Sequence, residues 1–169
     1  VHGASATPTP LLQALAERTD LHDVTVYHLH TSGPAPHVAP ELENRIRAVS
    51  LFTGSPLREA VNQGRADFIP IFLSEIPQLF SSGAVQLDAA LLQLSPPNRH
   101  QQCTLGVSID VAHAAATTAK IIIAEINDQL PRTHGPTAVP MQRVSAYCRT
   151  NRPIHTVPIE PQSPAELAI

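Results

Sequence analysis

Two apolar runs constrain this chain more than anything else in it: "LDAALLQLS", residues 87–95, and "KIIIAEIN", residues 120–127. A surface helix repeats its apolar residues every three or four positions, and a one-sided strand alternates. These runs do neither. Short, near-continuous apolar segments are what the strands of a parallel sheet show, because helices cover both faces of that sheet. Both runs fall far short of the about 20 residues that a membrane helix needs.

The rest of the chain alternates in the same sense. "HDVTVYHLH" is β-branched and alternating, a strand from about Val24 to Leu29. "RIRAVSLF" closes on strand-forming residues, "ADFIPIF" reads as a further strand, and "MQRVSAYC" as a last one. Between them lie short helices. The first follows Pro8 and Pro10, with Leu11, Leu12 and Leu15 on one face. A second, "PLREAVNQG", has Pro56 near its start and Gly64 as its stop. "SEIPQLFSSG" places Ser74 at an N-cap, Glu75 in the first turn and Gly83 past the end. "DVAHAAATTA" follows with Asp110 as cap, and "AELAI" begins one more helix at the end. Strands alternating with helices predict an α/β fold, a mostly parallel sheet flanked by helices. Residues 1–150 form that domain, and the Pro-rich stretch from residue 151 to 169 reads as a linker.

Apolar residues make up 43% of the chain and charged residues 15%, which marks a packed domain rather than a disordered segment. A formal charge of −3 with no basic stripe excludes the electrostatic footprint of a nucleic-acid binder. Two cysteines without a CxxC motif build no disulfide framework, so the expected compartment is the reducing cytoplasm, with no membrane association. The opening "VHGASATPTP" lacks the basic and apolar regions of a secretory signal. A Val ahead of a Gly-rich turn reads as a chain cut into rather than begun.

In parallel sheets ligands bind at the carboxyl ends of the strands. The loops to inspect are therefore "GASATP", "HTSGP", "FTGSP", "LSEIP", "LSPPNRH" and "EINDQLPRTHG". Rich in Gly, Ser and Thr, they can offer N–H groups to an anion or a carbonyl oxygen. Other candidates have plainer readings. Cys103 near His100 could form a thiol–imidazole pair, but no third orienting group is evident, and a packed thiol is preferred. His28 and His30 share a strand face and could ligate zinc with His37 or His22. A solvated face is preferred, and no metal is expected. Glu75 is either a ligand contact or a first-turn acid on a helix dipole. Asn127 is either a site residue or a turn former, and Arg132 and His134 either meet an anion or brace a loop.

Three longer stretches, "LREAVNQGRADFIPIFLSEIPQLF", "LDAALLQLSPPNRHQQCTLGVSIDVAHAA" and "AKIIIAEINDQLPRTHG", resemble the amino-terminal half of the acetyl-CoA hydrolase / 4-hydroxybutyrate CoA-transferase family. The opening 36 residues fit the same family, and FLSEIP, LSPP and LPRTHG in this order carry most of the specificity. The resemblance implies an enzyme of two similar α/β domains that moves coenzyme A between small carboxylic acids. A glutamate attacks the acyl-CoA and passes through an anhydride to a glutamyl-CoA thioester. That glutamate belongs to the carboxyl-terminal domain, so no catalytic residue is expected in this chain and Glu75 does not replace it.

The resemblance assigns to this domain one wall of the acyl pocket. Thr31, Ser32 and Gly33 in "HTSGP", with Thr53 and Gly54 in "FTGSP", are the implied substrate contacts, and Gly3, Ala4, Glu75 and Asn127 are weaker ones. No cofactor is held permanently. Acyl-CoA and a small carboxylate are the substrates, the carboxyl-terminal domain is the partner, and a homo-oligomer is expected. "DFIPIF" should be a buried central strand with its proline at a bulge or an unpaired stretch. Where the family carries an acidic residue and a Gly, this chain has Asn98 and Gln101, and "AAATTAK" is plainer than the family's helix. Two other readings stand beside the transferase: an acetyl-CoA hydrolase of the same family, and a small-molecule-binding domain without catalysis. A third, a hydrolase built on Cys103, is disfavoured.

Overall fold

Every long strand of this chain runs in one direction. The computed structural model describes residues 1–158, 161–163 and 166. In it, β1 (Val24–His28), β2 (Ile46–Ser50) and β3 (Ala66–Phe68) form a three-stranded parallel sheet in that order. A short antiparallel pair links β5 (Gln102–Thr104) to β7 (Ala138–Pro140). A second parallel sheet has the order β4 (Ala89–Leu94), β6 (Ile121–Asn127), β8 (Val144–Thr150). Four helices, α1 (Thr9–Glu17), α2 (Ser55–Asn62), α3 (Ile76–Ser81) and α4 (Ala112–Thr118), supply the crossovers and the cover.

The predicted α/β class is thus correct, but the sheet is divided. Residues 1–4 bridge the two halves. The Val1 amino group donates to Tyr27 O of β1 at 2.9 Å, and the His2 N–H donates to Leu91 O of β4 at 2.9 Å. Further along, the Ala4 N–H reaches His30 O, and Ala4 pairs in parallel with Thr31. The His2 ring is buried between the sheets. Its Nδ1 accepts from the Gln93 N–H, so its Nε2–H is left to donate to Ser108 O.

"KIIIAEIN" becomes the central strand of the second sheet, and both its faces are covered. Ile122, Ala124 and Ile126 lie in the core, and Glu125 and Asn127 are buried on the opposite side. α4 covers this region with four buried alanines, small enough to let a helix lie close to the strands. α2 follows its sequence signals: Pro56 lies in the first turn, and Gly64 takes a left-handed φ of +74° just past the end. Val111, not Asp110, holds the cap position of α4, although the Asp110 carboxylate, one residue earlier, accepts from the Ala112 N–H.

Two further expectations fail here. "DFIPIF" is not a central strand. β3 is three residues long, lies at the sheet's edge, and leaves Phe68 50% and Phe72 76% exposed. Pro70 lies two residues past Phe68, the last paired residue, at an unpaired stretch as anticipated. Ser74 does not cap α3 either. Glu75 holds the cap position in helical conformation with no side-chain bond to the backbone. The helix expected at "AELAI" lies outside the described residues, Glu166 apart.

Candidate functional site

Parallel strands deliver their loops to one end, and four of those loops meet there. The loop after β1 is tied to the first loop of the chain: the Ser32 N–H donates to Thr7 Oγ1 at 3.0 Å, beside the Ala4–Thr31 bridge. Gly54, after β2, has Thr31 O as a neighbour, and the Thr53 hydroxyl donates back to Ser50 Oγ at 3.2 Å. Thr31, Ser32, Gly33, Thr53 and Gly54 therefore sit on adjoining loops. Their hydroxyls are not all free. Thr31 is buried, and its Oγ1 lies 3.0 Å from His28 Nδ1.

Asn127 reaches the same end from β6 but faces inward. Its Nδ2 donates to Gln93 Oε1 and to Arg152 O, and its Oδ1 accepts from the Arg152 and Gln129 N–H groups. Glu75 stands exposed before α3 and, among the described residues, its side chain shares no hydrogen bond with these loops. Gly3 lies so close to His30 O that any Cβ there would approach it within 2.6 Å.

Reading the sequence alone missed the tail. Its first residues, Arg152 and His155, lie against the loop cluster. The Arg152 guanidinium donates to both oxygens of Glu125, at 2.7 and 2.9 Å, and to Thr7 O. Glu125 itself is 0% exposed and also accepts from the Thr150 hydroxyl and Gln93 Nε2. Further on, His155 Nε2 lies 2.8 Å from Thr9 Oγ1, and the His155 ring covers Gly33 so closely that no Cβ fits there. Gly33 also holds φ +75°, so two independent constraints require glycine. The one available signal was Glu125: an acid inside an otherwise apolar run needs a cation from elsewhere in the chain.

The histidines separate. His28 and His37 stack with ring centroids 4.5 Å apart, both buried. His28 Nε2 and both nitrogens of His37 have no hydrogen-bond partner among the described residues. Desolvation drives His28 well below the usual imidazole range and lowers His37 to about 4, so both rings are neutral. His30 lies instead against the half-exposed Phe52, with ring centroids 4.6 Å apart. The Cys103 thiol is buried against Met141 Sδ at 3.4 Å, and burial pushes its pKa up. His100 is exposed and bonded to Arg99, so no Cys103–His100 pair forms. Arg132 braces its loop by donating to Pro96 O and Gln102 O.

The chain that carries this cluster of Gly, Ser and Thr loops has counterparts among known proteins. Residues 1–164 match the family described as the acetyl-CoA hydrolase/transferase N-terminal domain. The chain belongs to that family. The domain is 42% identical over 169 residues to a succinyl-CoA:acetate/propanoyl-CoA:succinate CoA transferase of Fasciola hepatica, an alignment covering 98% of this chain and 35% of that protein. It is 33% identical to the 4-hydroxybutyrate coenzyme A transferase of Clostridium kluyveri, over 89% of this chain and 35% of that one. A crystal structure of a 4-hydroxybutyrate CoA-transferase from Porphyromonas gingivalis superposes with a TM-score of 0.76 at 30% identity, covering 92% of this chain and 35% of that one. RipA from Yersinia pestis superposes at 0.86 with 26% identity, over 96% and 41%. This acetyl-CoA hydrolase/transferase N-terminal domain thus spans about a third of the length of these CoA-transferase relatives. Among the described residues no helix is long and apolar enough to cross a membrane.

Proposed function

We propose that this domain forms one wall of the active site of an acyl-CoA:carboxylate CoA-transferase. The observation that carries the reading is its 42% identity, over nearly its whole length, to a protein named as such a transferase. The polar loop cluster supports it. Ser32 and Thr53, with the backbone of Gly33 and Gly54, orient the small carboxylate and hold the oxyanion that develops at the acyl carbon. The glutamate that carries the acyl group and then coenzyme A is supplied by a carboxyl-terminal domain of the same enzyme. The transfer proceeds through an anhydride and a glutamyl-CoA thioester.

The test uses the full-length enzyme, loaded with acyl-CoA in the absence of an acceptor acid. Hydroxylamine should then inactivate it by cleaving the enzyme-bound thioester, and inactivation should need prior exposure to acyl-CoA. An enzyme that releases free coenzyme A to water at the rate at which it serves a carboxylate acceptor would instead be a hydrolase. Ser32→Ala and Thr53→Ala should each raise KM for the carboxylate or lower kcat by about 10- to 100-fold.

A further inference from the structure

The loop that follows β1 lies along the first loop of the chain, and three contacts join them in order. Ala4 pairs with Thr31. Thr7 Oγ1 accepts from the Ser32 N–H at 3.0 Å. Thr9 Oγ1 lies 2.8 Å from His155 Nε2, and the His155 ring covers Gly33. The middle contact, Thr7, is 0% exposed.

Thr7 does not need its hydroxyl to close its own turn. The Thr7 N–H already donates to Ala4 O at 3.0 Å, and the hydroxyl donates to the same oxygen at 2.8 Å. What the hydroxyl alone supplies is an acceptor for the Ser32 N–H. Thr7 is also held from its other side. Its carbonyl accepts from Arg152 Nη2 at 2.9 Å, from the Thr9 N–H at 3.0 Å and from Gln93 Nε2 at 3.3 Å. Gln93 and Arg152 both donate to the buried Glu125 carboxylate. The loop after β1 is thus tied to a residue that the second sheet and the tail hold in place, and it cannot drift without breaking that bond.

The same bond decides which groups of the loop a ligand can use. The Ser32 N–H is occupied. Among the described residues the Ser32 hydroxyl and the Gly33 N–H share no hydrogen bond, so both can donate to an anion.

We infer that Thr7 is a positioning residue for the transfer reaction: its bond to the Ser32 N–H sets the Ser32 hydroxyl and the Gly33 N–H against the substrate carboxylate. The inference rests on the transferase reading above. Thr7 touches no reacting atom and acts through Ser32. Misplacing an orienting group by about 1 Å can cost about 100-fold in rate.

The test uses the full-length enzyme and two substitutions. Thr7→Val keeps the shape of the side chain and removes the hydroxyl, whereas Thr7→Ser keeps the hydroxyl. In Thr7→Val, kcat/KM for the carboxylate acceptor should fall about 10- to 100-fold, and the Ser32 amide should exchange its hydrogen at least about 10-fold faster. Thr7→Ser should stay within about threefold of the unsubstituted enzyme on both measures. Thr7→Ala leaves room for a water at the freed N–H. It should show the same kinetic loss as Thr7→Val and takes its place if that variant does not fold. Three results would overturn the inference and leave the transferase reading standing: a Ser32 amide unprotected in the unsubstituted enzyme, a lower melting midpoint in Thr7→Val with unchanged kinetics, or Thr7→Ser as impaired as Thr7→Val. An unsubstituted enzyme that transfers coenzyme A to no carboxylate would overturn both.

Discussion

Gln101 holds a left-handed backbone, φ +57°, at the tip of the loop between β4 and β5. A side chain there costs roughly 1–2 kcal/mol relative to a relaxed conformation. A glycine takes this angle without that cost, which is the physical reason for expecting one here. Beside it, Asn98 Oδ1 accepts from the His100 and Gln102 N–H groups, the task an acidic side chain would perform. Asn98 thereby holds the turn in which Gln101 sits. Gln101→Gly should stabilise the protein by up to about 1 kcal/mol, the relief of strain less the added chain entropy, seen as a higher urea midpoint. A lower midpoint would mean that the Gln101 side chain makes a contribution larger than the strain.

His37 makes the clearest pH prediction at this scale. In the unfolded chain it takes a proton near pH 6.5, whereas in the fold burial holds its pKa at about 4. Between those values the unfolded state binds more protons, so stability falls as pH drops from 6.5 toward 4, by about 3 kcal/mol over the whole window. His28, shifted in the same direction, adds to the slope. Urea unfolding at pH 7 and at pH 5 should show the loss, and His37→Leu should reduce it, leaving the share that His28 contributes. Equal stability at the two pH values would contradict the buried, unpartnered state of the ring.

At the scale of elements, β3 and β6 began as equally apolar strings and ended at opposite extremes of burial. Ile122 in β6 is fully buried within the largest core cluster. Phe72, in the segment after β3, faces solvent. Ile122→Ala should cost about 2–5 kcal/mol and Phe72→Ser should fall within about 0.5 kcal/mol of neutral, both by thermal or urea melts of this chain. A comparable cost at the two sites would restore "DFIPIF" to the core. Composition could not separate these segments, because the number of neighbours a strand acquires is decided by pairing. Pro70 was the available clue, since a residue without an N–H fits where no ladder continues.

At the scale of the molecule, one ion pair links the tail, the second sheet and the first loop. Arg152→Ala would strand the Glu125 carboxylate in the interior, with only Thr150 and Gln93 as donors. It should destabilise the chain by about 3–5 kcal/mol, and adding Glu125→Gln should recover at least half of that in a double-mutant cycle. No recovery would show that the tail docks by other contacts. The same linkage gives the loop cluster its shape, because Arg152 grips Thr7 while His155 rests on Gly33 and Thr9.

By itself the sequence determined the α/β class, the parallel sense of the strands, the helices flanked by Pro and Gly, and the end of the molecule where polar loops gather. Those properties follow from local periodicity and from the covalent limits of proline and glycine, which act over a few residues. The tertiary structure decided which apolar run lies at the centre and which at the edge. It also decided that the sheet divides around residues 1–4, that Thr31 and Asn127 spend their polar groups on internal partners, and that the tail returns to cover Gly33. Each of these outcomes depends on residues far apart in the chain, such as Glu125 with Arg152 or Val1 with Tyr27, meeting in space. No local pattern records which of many possible partners a buried charge or an open strand edge will find.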